Sequence, residues 1–160
     1  MSADLTRSID FRSIALNTVT ETASVLVGCK VTRFEVGPPE LVQYAVKLAK
    51  DDGMDIGPVY QGARKITASG TVYDSTRGKT FDRILALEAV MLPASGGYGT
   101  YALTYYVARE TAPGYVQKSI TVRPNGLQWA TSIEMFGGAD AQPLAIPWTV
   151  TFYAANPDIT

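Results

Sequence analysis

The chain has 160 residues, of which 46% are apolar and 18% charged, and its formal net charge is -1 at pH 7. This length fits one domain over residues 1–160, and the near-neutral charge gives no overall attraction to nucleic acid or to an anionic membrane. No apolar run is long enough for a transmembrane helix, and the first ten residues lack the apolar core of a secretory signal, so we expect neither membrane insertion nor Sec-type export.

Histidine is absent, and Cys29 is the only cysteine. The Ser-His-Asp and Cys-His catalytic devices are therefore excluded, and the commonest metal ligand is missing. A single thiol also excludes an internal disulfide. We expect Cys29 to be a buried structural thiol, and we expect no enzymatic activity, no cofactor and no bound metal. Stoichiometric metal in the purified protein, found by elemental analysis, would contradict this.

Short alternating or β-branched segments near the N-terminus predict strands. They are residues 5–11, 25–27 and 30–36. The next segment, 40–50, fits a helix that begins after Pro39, and it fits a strand equally well. We predict the strand, because Asp51-Asp52-Gly53 can turn the chain and an alternating segment follows at Arg64.

The stretch 61–92 carries the clearest pattern in the chain. From Arg64 to Val72 the side chains alternate with the period of a half-buried strand. Asp74 and Ser75 follow, and their short polar side chains can cap a helix. Apolar residues then recur at three- and four-residue spacing with charged residues between them, which predicts one amphipathic helix over 76–91. The residues predicted to pack this helix onto a sheet are Phe81, Ile84, Leu87 and Met91.

Four more segments after the helix predict strands. They are residues 100–109, 115–123, 127–136 and 146–153. Pro124-Asn125-Gly126 predicts a hairpin turn between the second and the third of them. About eight or nine short strands with such turn signals are typical of sandwiches and barrels. We therefore predict a mainly β protein, a β-sandwich or barrel-like fold with one flanking helix.

Few residues suggest a chemical site. Gly96-Gly97-Tyr98-Gly99 follows a helix rather than a strand and lacks a following Gly-Lys-Ser/Thr, so a connecting loop is favoured over a phosphate site. Asp51, Asp52 and Asp55 do not have EF-hand spacing, which favours a solvated turn. Basic residues are scattered among acids and make no stripe with interleaved aromatics, which favours a solvated surface or a polar interface over a nucleic-acid site. They include Lys30, Arg33, Arg64, Lys65, Arg77, Lys79 and Arg83.

A group of tyrosines suggests a contact surface. Its members are Tyr98, Tyr101, Tyr105 and Tyr106. Tyrosine is enriched in protein interfaces, so these residues are a candidate interface between subunits. Packing within the core and a hairpin explains them equally well. A small-molecule or carbohydrate-binding sandwich that uses Trp129, Trp148 and the tyrosines is an alternative function of another class.

Parts of the sequence resemble the N-terminal domain of distal tail proteins of long-tailed bacteriophages. That family shows an aspartate-glycine turn, a glycine-arginine, a strand with a Ser-Gly-type signature, a small polar turn and a helix with an Arg-x-x-x-Leu core. The corresponding positions are Asp52-Gly53, Gly62 to Arg64, Ser69-Gly70, Ser75 to Arg77 and Arg83 to Leu87. The ending LAIPWTVTFYAANPDI also resembles the last strand of that domain. Tail tube proteins share the fold and these features.

The resemblance implies a β-sandwich flanked by a helix, and a hexameric ring that joins the tail tube to the tail tip or baseplate. The implied partners are other copies of the chain, a tail tube protein and a tail tip or hub protein. DNA would pass through the lumen only transiently, and no membrane is involved. The implied location is the virion tail, assembled in the host cytoplasm.

The resemblance leaves a second role open and raises the question of a further domain. A major tail tube subunit is the alternative, in which residues 38–50 or 94–100 would reach the next ring. Many distal tail proteins also add a C-terminal carbohydrate-binding-like domain. Because the sequence ends shortly after Asn156-Pro157, we expect no such domain and no direct role in binding the host surface.

Overall fold

The computed structural model describes residues 3, 5–17, 28–47, 54–92, 99–129, 144–156 and 158–160. These residues contain seven strands and one helix. The strands are β1 (Asp10–Phe11), β2 (Ile14–Ala15), β3 (Cys29–Lys47), β4 (Met54–Asp74), β5 (Tyr101–Ala108), β6 (Tyr115–Trp129) and β7 (Leu144–Ala154), and the helix is α1 (Arg77–Met91). The predicted strand at 25–27 and most of the predicted glycine-rich loop lie outside the described residues.

The described strands join in one antiparallel sheet, in the order β2-β1-β5-β6-β7-β4-β3. The sheet is strongly coiled. Phe34 in β3 and Tyr105 in β5 are four strands apart, which would be about 19 Å in a flat sheet. Their ring centroids are only 5.1 Å apart, so the two halves of the sheet face each other. The prediction of a mainly β fold with one flanking helix is confirmed, and its sandwich-like packing comes from a single open sheet.

The core fills the space between these two halves and beneath α1. Its buried apolar side chains form one continuous cluster. Along β7, the buried residues alternate with residues that face outward, as the period-two pattern predicts. The buried ones are Ile146, Trp148, Val150 and Phe152. In β4, Ile66, Ala68 and Val72 are buried in the same way.

Gly70 permits the close packing of three strands. A Cβ atom at this position would collide with the carbonyl oxygen of Lys30 in β3, and it would lie 3.0 Å from the indole ring of Trp148 in β7. The absent side chain thus leaves room for the neighbouring backbone and for a large aromatic ring. An alanine here would have to displace backbone atoms, which are much less able to move than the end of a flexible side chain.

The predicted hairpin turn at Pro124-Asn125-Gly126 is wrong, because β6 continues through it. Between Pro124 and Leu127, β6 has one residue more than the facing part of β7, and Gly126 has a φ of 92°. A glycine at positive φ serves a β-bulge as well as a turn. The bulge lies close to the point at which β6 changes partner, since residues 115–122 pair with β5 and residues 123–129 pair with β7.

The start of α1 also differs from the prediction. The N-cap is Thr76, whose hydroxyl accepts a hydrogen bond from the backbone N–H of Lys79 at 3.4 Å. Asp74 does not cap the helix. Its carboxylate accepts from the backbone N–H of Ser75 at 2.6 Å and from Nε of Arg83 at 3.1 Å. Asp74 therefore ties the end of β4 to the second turn of the helix.

Two predictions about strands have different outcomes. Of the predicted strand 5–11, only Asp10–Phe11 is paired, because the residues from Leu5 to Arg7 turn instead. The ambiguous segment 40–50 is a strand, as predicted, as far as Lys47. Its remaining residues lie outside the described part of the chain.

Candidate assembly surfaces

The hairpin formed by β3 and β4 extends beyond the rest of the sheet. β4 pairs with β7 only from Arg64 to Asp74. Its pairing with β3 continues to Met54, which lies opposite Lys47. Residues 39–47 and 54–63 therefore form a two-stranded ribbon with no third strand among the described residues. We call this ribbon the arm.

Apolar side chains on the arm are exposed to solvent. Leu41 is 70% exposed and Val42 is 37% exposed. Neighbouring residues of a strand point to opposite faces, so the arm presents an apolar side chain on each face. An isolated two-stranded ribbon is marginally stable in water. The exposed apolar side chains make the arm a candidate contact surface.

Arg64 lies where the arm leaves the sheet. Its Nη1 donates to the carbonyl oxygen of Gly37 in β3 at 3.1 Å. Among the described residues, neither Nε of Arg64 nor the buried hydroxyl of Tyr105 has a hydrogen-bond partner. Burial raises the pKa of Tyr105, and the positive charge of Arg64 opposes that rise. Arg64 therefore binds β3 at the base of the arm through Gly37, and its charge acts on Tyr105, a residue of the core.

The four tyrosines predicted at an interface are not equivalent. Tyr105 is completely buried and packs against Phe34, so it belongs to the core, the explanation that the sequence left open. Tyr101 and Tyr106 are partly buried. Tyr98 lies outside the described residues. A contact between copies at Tyr101 and Tyr106 stays a prediction.

Arginine side chains cover both of the partly buried tyrosines. The guanidinium of Arg12 is 4.5 Å from the ring centroid of Tyr101. The guanidinium of Arg7 is 3.4 Å from the ring centroid of Tyr115 and 5.7 Å from that of Tyr106. Such cation–π contacts fix the rings within the subunit.

Arg12 also holds the end of α1, a role that the sequence did not reveal. Arg12 and Ser13 form a two-residue turn with φ values of 54° and 63°. Two-residue turns with positive φ usually contain Asn or Gly, and neither residue occurs here. The Arg12 guanidinium donates to the carbonyl oxygens of Val90 at 3.2 Å and Leu92 at 3.4 Å. A cation at this position also interacts favourably with the helix dipole.

The predicted helix-packing residues lie on the face of α1 that meets β4, β6 and β7. Ile84, Leu87 and Met91 are buried. Phe81 is partly buried, and its ring meets the ring of Trp129 edge-on, with centroids 6.2 Å apart. The helix therefore covers one end of the coiled sheet.

The described residues offer little to a chemical reaction. No group of three His, Cys, Asp or Glu residues among them could hold a metal ion. Cys29 is buried, and burial raises the pKa of its thiol to about 12. Trp148, one of the two tryptophans considered for ligand binding, is only 2% exposed.

No described helix is long and apolar enough to cross a membrane.

The described residues thus form a coiled antiparallel sheet with the helix α1 and a projecting arm. Among solved structures, the crystal structure of the SPP1 Dit (gp 19.1) protein is similar, with a TM-score of 0.59 and 16% sequence identity. That protein is described as a paradigm of the hub adsorption apparatus in phages that infect Gram-positive bacteria. The alignment covers 94% of this chain and 50% of that one.

The likeness shows the fold, which is that of a phage distal tail protein at a coarse level. The chain spans half the length of the SPP1 protein. No protein-family model matches the sequence, and no curated protein matches it either.

Proposed function

We propose that this chain is a structural subunit of a bacteriophage tail that assembles as a ring of six copies. The ring joins the tail tube protein to a tail tip or hub protein and leaves a passage for DNA. The shared fold with a phage hub protein supports the tail role. The arm, with its exposed Leu41 and Val42, is the observation that supports assembly.

The arm favours a head-to-tail contact between identical subunits. In a ring, the arm of one copy would contact a different surface of the next copy. Contacts between two different patches of the same chain build closed rings when their rotation divides a full turn. A specific contact of this kind should bury more than ~1,000 Å².

A major tail tube subunit is the second candidate, and the same arm supports it. In a tube the arm of one ring would extend along the axis to the next ring, and the rings would stack in many copies. A sugar-binding module is less favoured, because the buried ring of Trp148 cannot stack on a ligand. Trp129 is already in contact with Phe81.

Mass measurement and negative-stain imaging of the purified protein separate these candidates. Discrete six-fold rings support the adaptor, long tubes support the tube subunit, and a monomer at every concentration counts against both. Assembly can also require the neighbouring tail proteins, since their binding stabilises the ring by mass action. The assembled particle therefore decides: a map that shows single copies, or copies away from the tail axis, would exclude the ring.

A further inference from the structure

The bulge in β6 leaves two consecutive residues outside the regular ladder. Between the partners of Pro124 and Leu127, β7 offers one residue, whereas β6 has two, Asn125 and Gly126. On the other side of β6, the pairing with β5 ends at Val122. A bulge disrupts the hydrogen bonding of a sheet locally and leaves its extra residue unpaired. Asn125 and Gly126 are both exposed, so solvent reaches this part of the backbone.

The order of these two residues has a chemical consequence. The backbone nitrogen of a residue can attack the side-chain amide carbon of a preceding asparagine, which closes a cyclic imide, a succinimide. A side chain on the attacking residue hinders this step, and glycine has none. Gly126 has a φ of 92°, and apart from its chain neighbours no atom lies within 4 Å of the position that a Cβ would take. The space beside the attacking nitrogen is therefore open.

The chain has three asparagines, and the other two lack these properties. Asn17 is only 5% exposed. Its Nδ2 donates to the carbonyl oxygen of Leu5 at 2.5 Å, and its Oδ1 accepts from the backbone N–H of Val31 at 3.3 Å. Asn156 is followed by Pro157, whose backbone nitrogen carries no hydrogen and cannot form the imide. Exposure, a glycine neighbour and an interrupted ladder are therefore combined at Asn125.

We propose that Asn125 is a site of spontaneous deamidation in the folded protein. The Gly126 nitrogen loses its proton to hydroxide and forms a bond to the amide carbon of Asn125. The side-chain nitrogen takes up a proton from water and leaves as ammonia. One water molecule then opens the succinimide at either of its two carbonyl carbons. The product is an aspartate or an isoaspartate at position 125.

The two products change the protein in different ways. Both replace a neutral amide by a carboxylate, so one negative charge is added to the net charge of -1. The aspartate keeps the length of the main chain, whereas the isoaspartate lengthens it by one methylene group. Because register fixes which side chains face the core, this insertion should disturb the pairing of residues 127–129 with β7.

The test is to age the folded full chain at neutral and at mildly alkaline pH, in parallel with the chain unfolded in guanidinium chloride. Ion-exchange chromatography separates forms that have gained a negative charge, and mass spectrometry of proteolytic peptides assigns the altered residue. Incubation in isotopically labelled water should add one labelled oxygen atom at position 125. Asn125→Gln is the matched control, because its longer side chain closes a ring much more slowly.

We expect an acidic form that grows faster at the higher pH, carries the change at position 125 and is absent from Asn125→Gln. If Asn125 stays intact in the folded chain while the unfolded chain is modified there, the fold protects it and the proposal is overturned. Equal modification of Asn17, or an acidic form that persists in Asn125→Gln, would also overturn it. Asp52-Gly53 can form an isoaspartate too, but this adds no charge and so does not produce the acidic form.

Thermal midpoints test the structural consequence. The isolated isoaspartate form should unfold at a lower temperature than the wild type. Asn125→Asp, which adds the charge at an exposed position without the methylene group, should not. Equal midpoints of all three would contradict the expected disturbance of β6 and β7. The inference does not depend on the tail role, and rings built from chains that stay unmodified would contradict it alone.

Discussion

At the scale of single residues, two leucines of α1 allow the effect of burial on stability to be measured apart from the effect of helix propensity. Leu87 is completely buried, whereas Leu85 is 52% exposed on the opposite side of the same helix. We expect Leu87→Ala to lower the free energy of unfolding by ~2–5 kcal/mol, because it leaves a cavity in the core. Leu85→Ala should change it by no more than ~0.5 kcal/mol. Urea denaturation measures both, and equal effects would contradict the assigned face of the helix.

Cys29 gives a second residue-scale prediction. Because burial raises its thiol pKa to about 12, the reactive thiolate is almost absent near neutral pH, and the sulfur is also shielded from reagents. We expect no reaction with a thiol reagent at pH 8 in the native protein and one equivalent of reaction after unfolding in urea. Rapid modification of the native protein would show that Cys29 is accessible.

At the scale of elements, the link between β4 and α1 predicts a pH dependence. Hydrogen bonds from the Ser75 backbone and from Arg83 lower the pKa of Asp74 below its ordinary value of 3.8. A carboxyl group with a lowered folded-state pKa stabilises the protein above its unfolded pKa, and this contribution is lost as the pH falls through the lower folded value. Asp74→Asn should therefore be less stable than wild type at pH 7, and the difference should shrink below pH ~4.

Denaturant titrations over this pH range measure the effect. Asp82→Asn, which changes an exposed acid of α1, is the control. A difference between wild type and Asp74→Asn that stays constant with pH would show that the carboxylate does not act through its charge.

At the scale of the whole molecule, the arm is the element whose loss should affect assembly and leave the fold intact. Leu41 is exposed in the subunit, so Leu41→Asp should change the stability of the isolated chain little. In a ring the same change would bury a charge at a subunit contact, which is costly. We expect fewer rings in sedimentation and imaging experiments. Leu85→Asp is the matched control, and equal disruption by both would remove the special role of the arm.

Much of the fold could be predicted because its signals are local. Alternation along β4 and β7 identified the inner residues, and the three- and four-residue spacing identified α1 to within one residue. The predictions that were wrong concern residues that suit two different local structures. Gly126 suits a bulge as well as a turn, and Thr76 competes with Asp74 and Ser75 as the helix cap. Arg12 and Ser13 gave no turn signal at all.

The sequence by itself determined the mainly β class, the helix α1 and the inner faces of the strands, because period and propensity act between near neighbours. The tertiary structure decided everything that depends on strand order. It buried Tyr105 against Phe34 and extended the arm past the end of β7. Residues that are far apart in the chain become neighbours only through register, and register is set by the packing of the whole sheet.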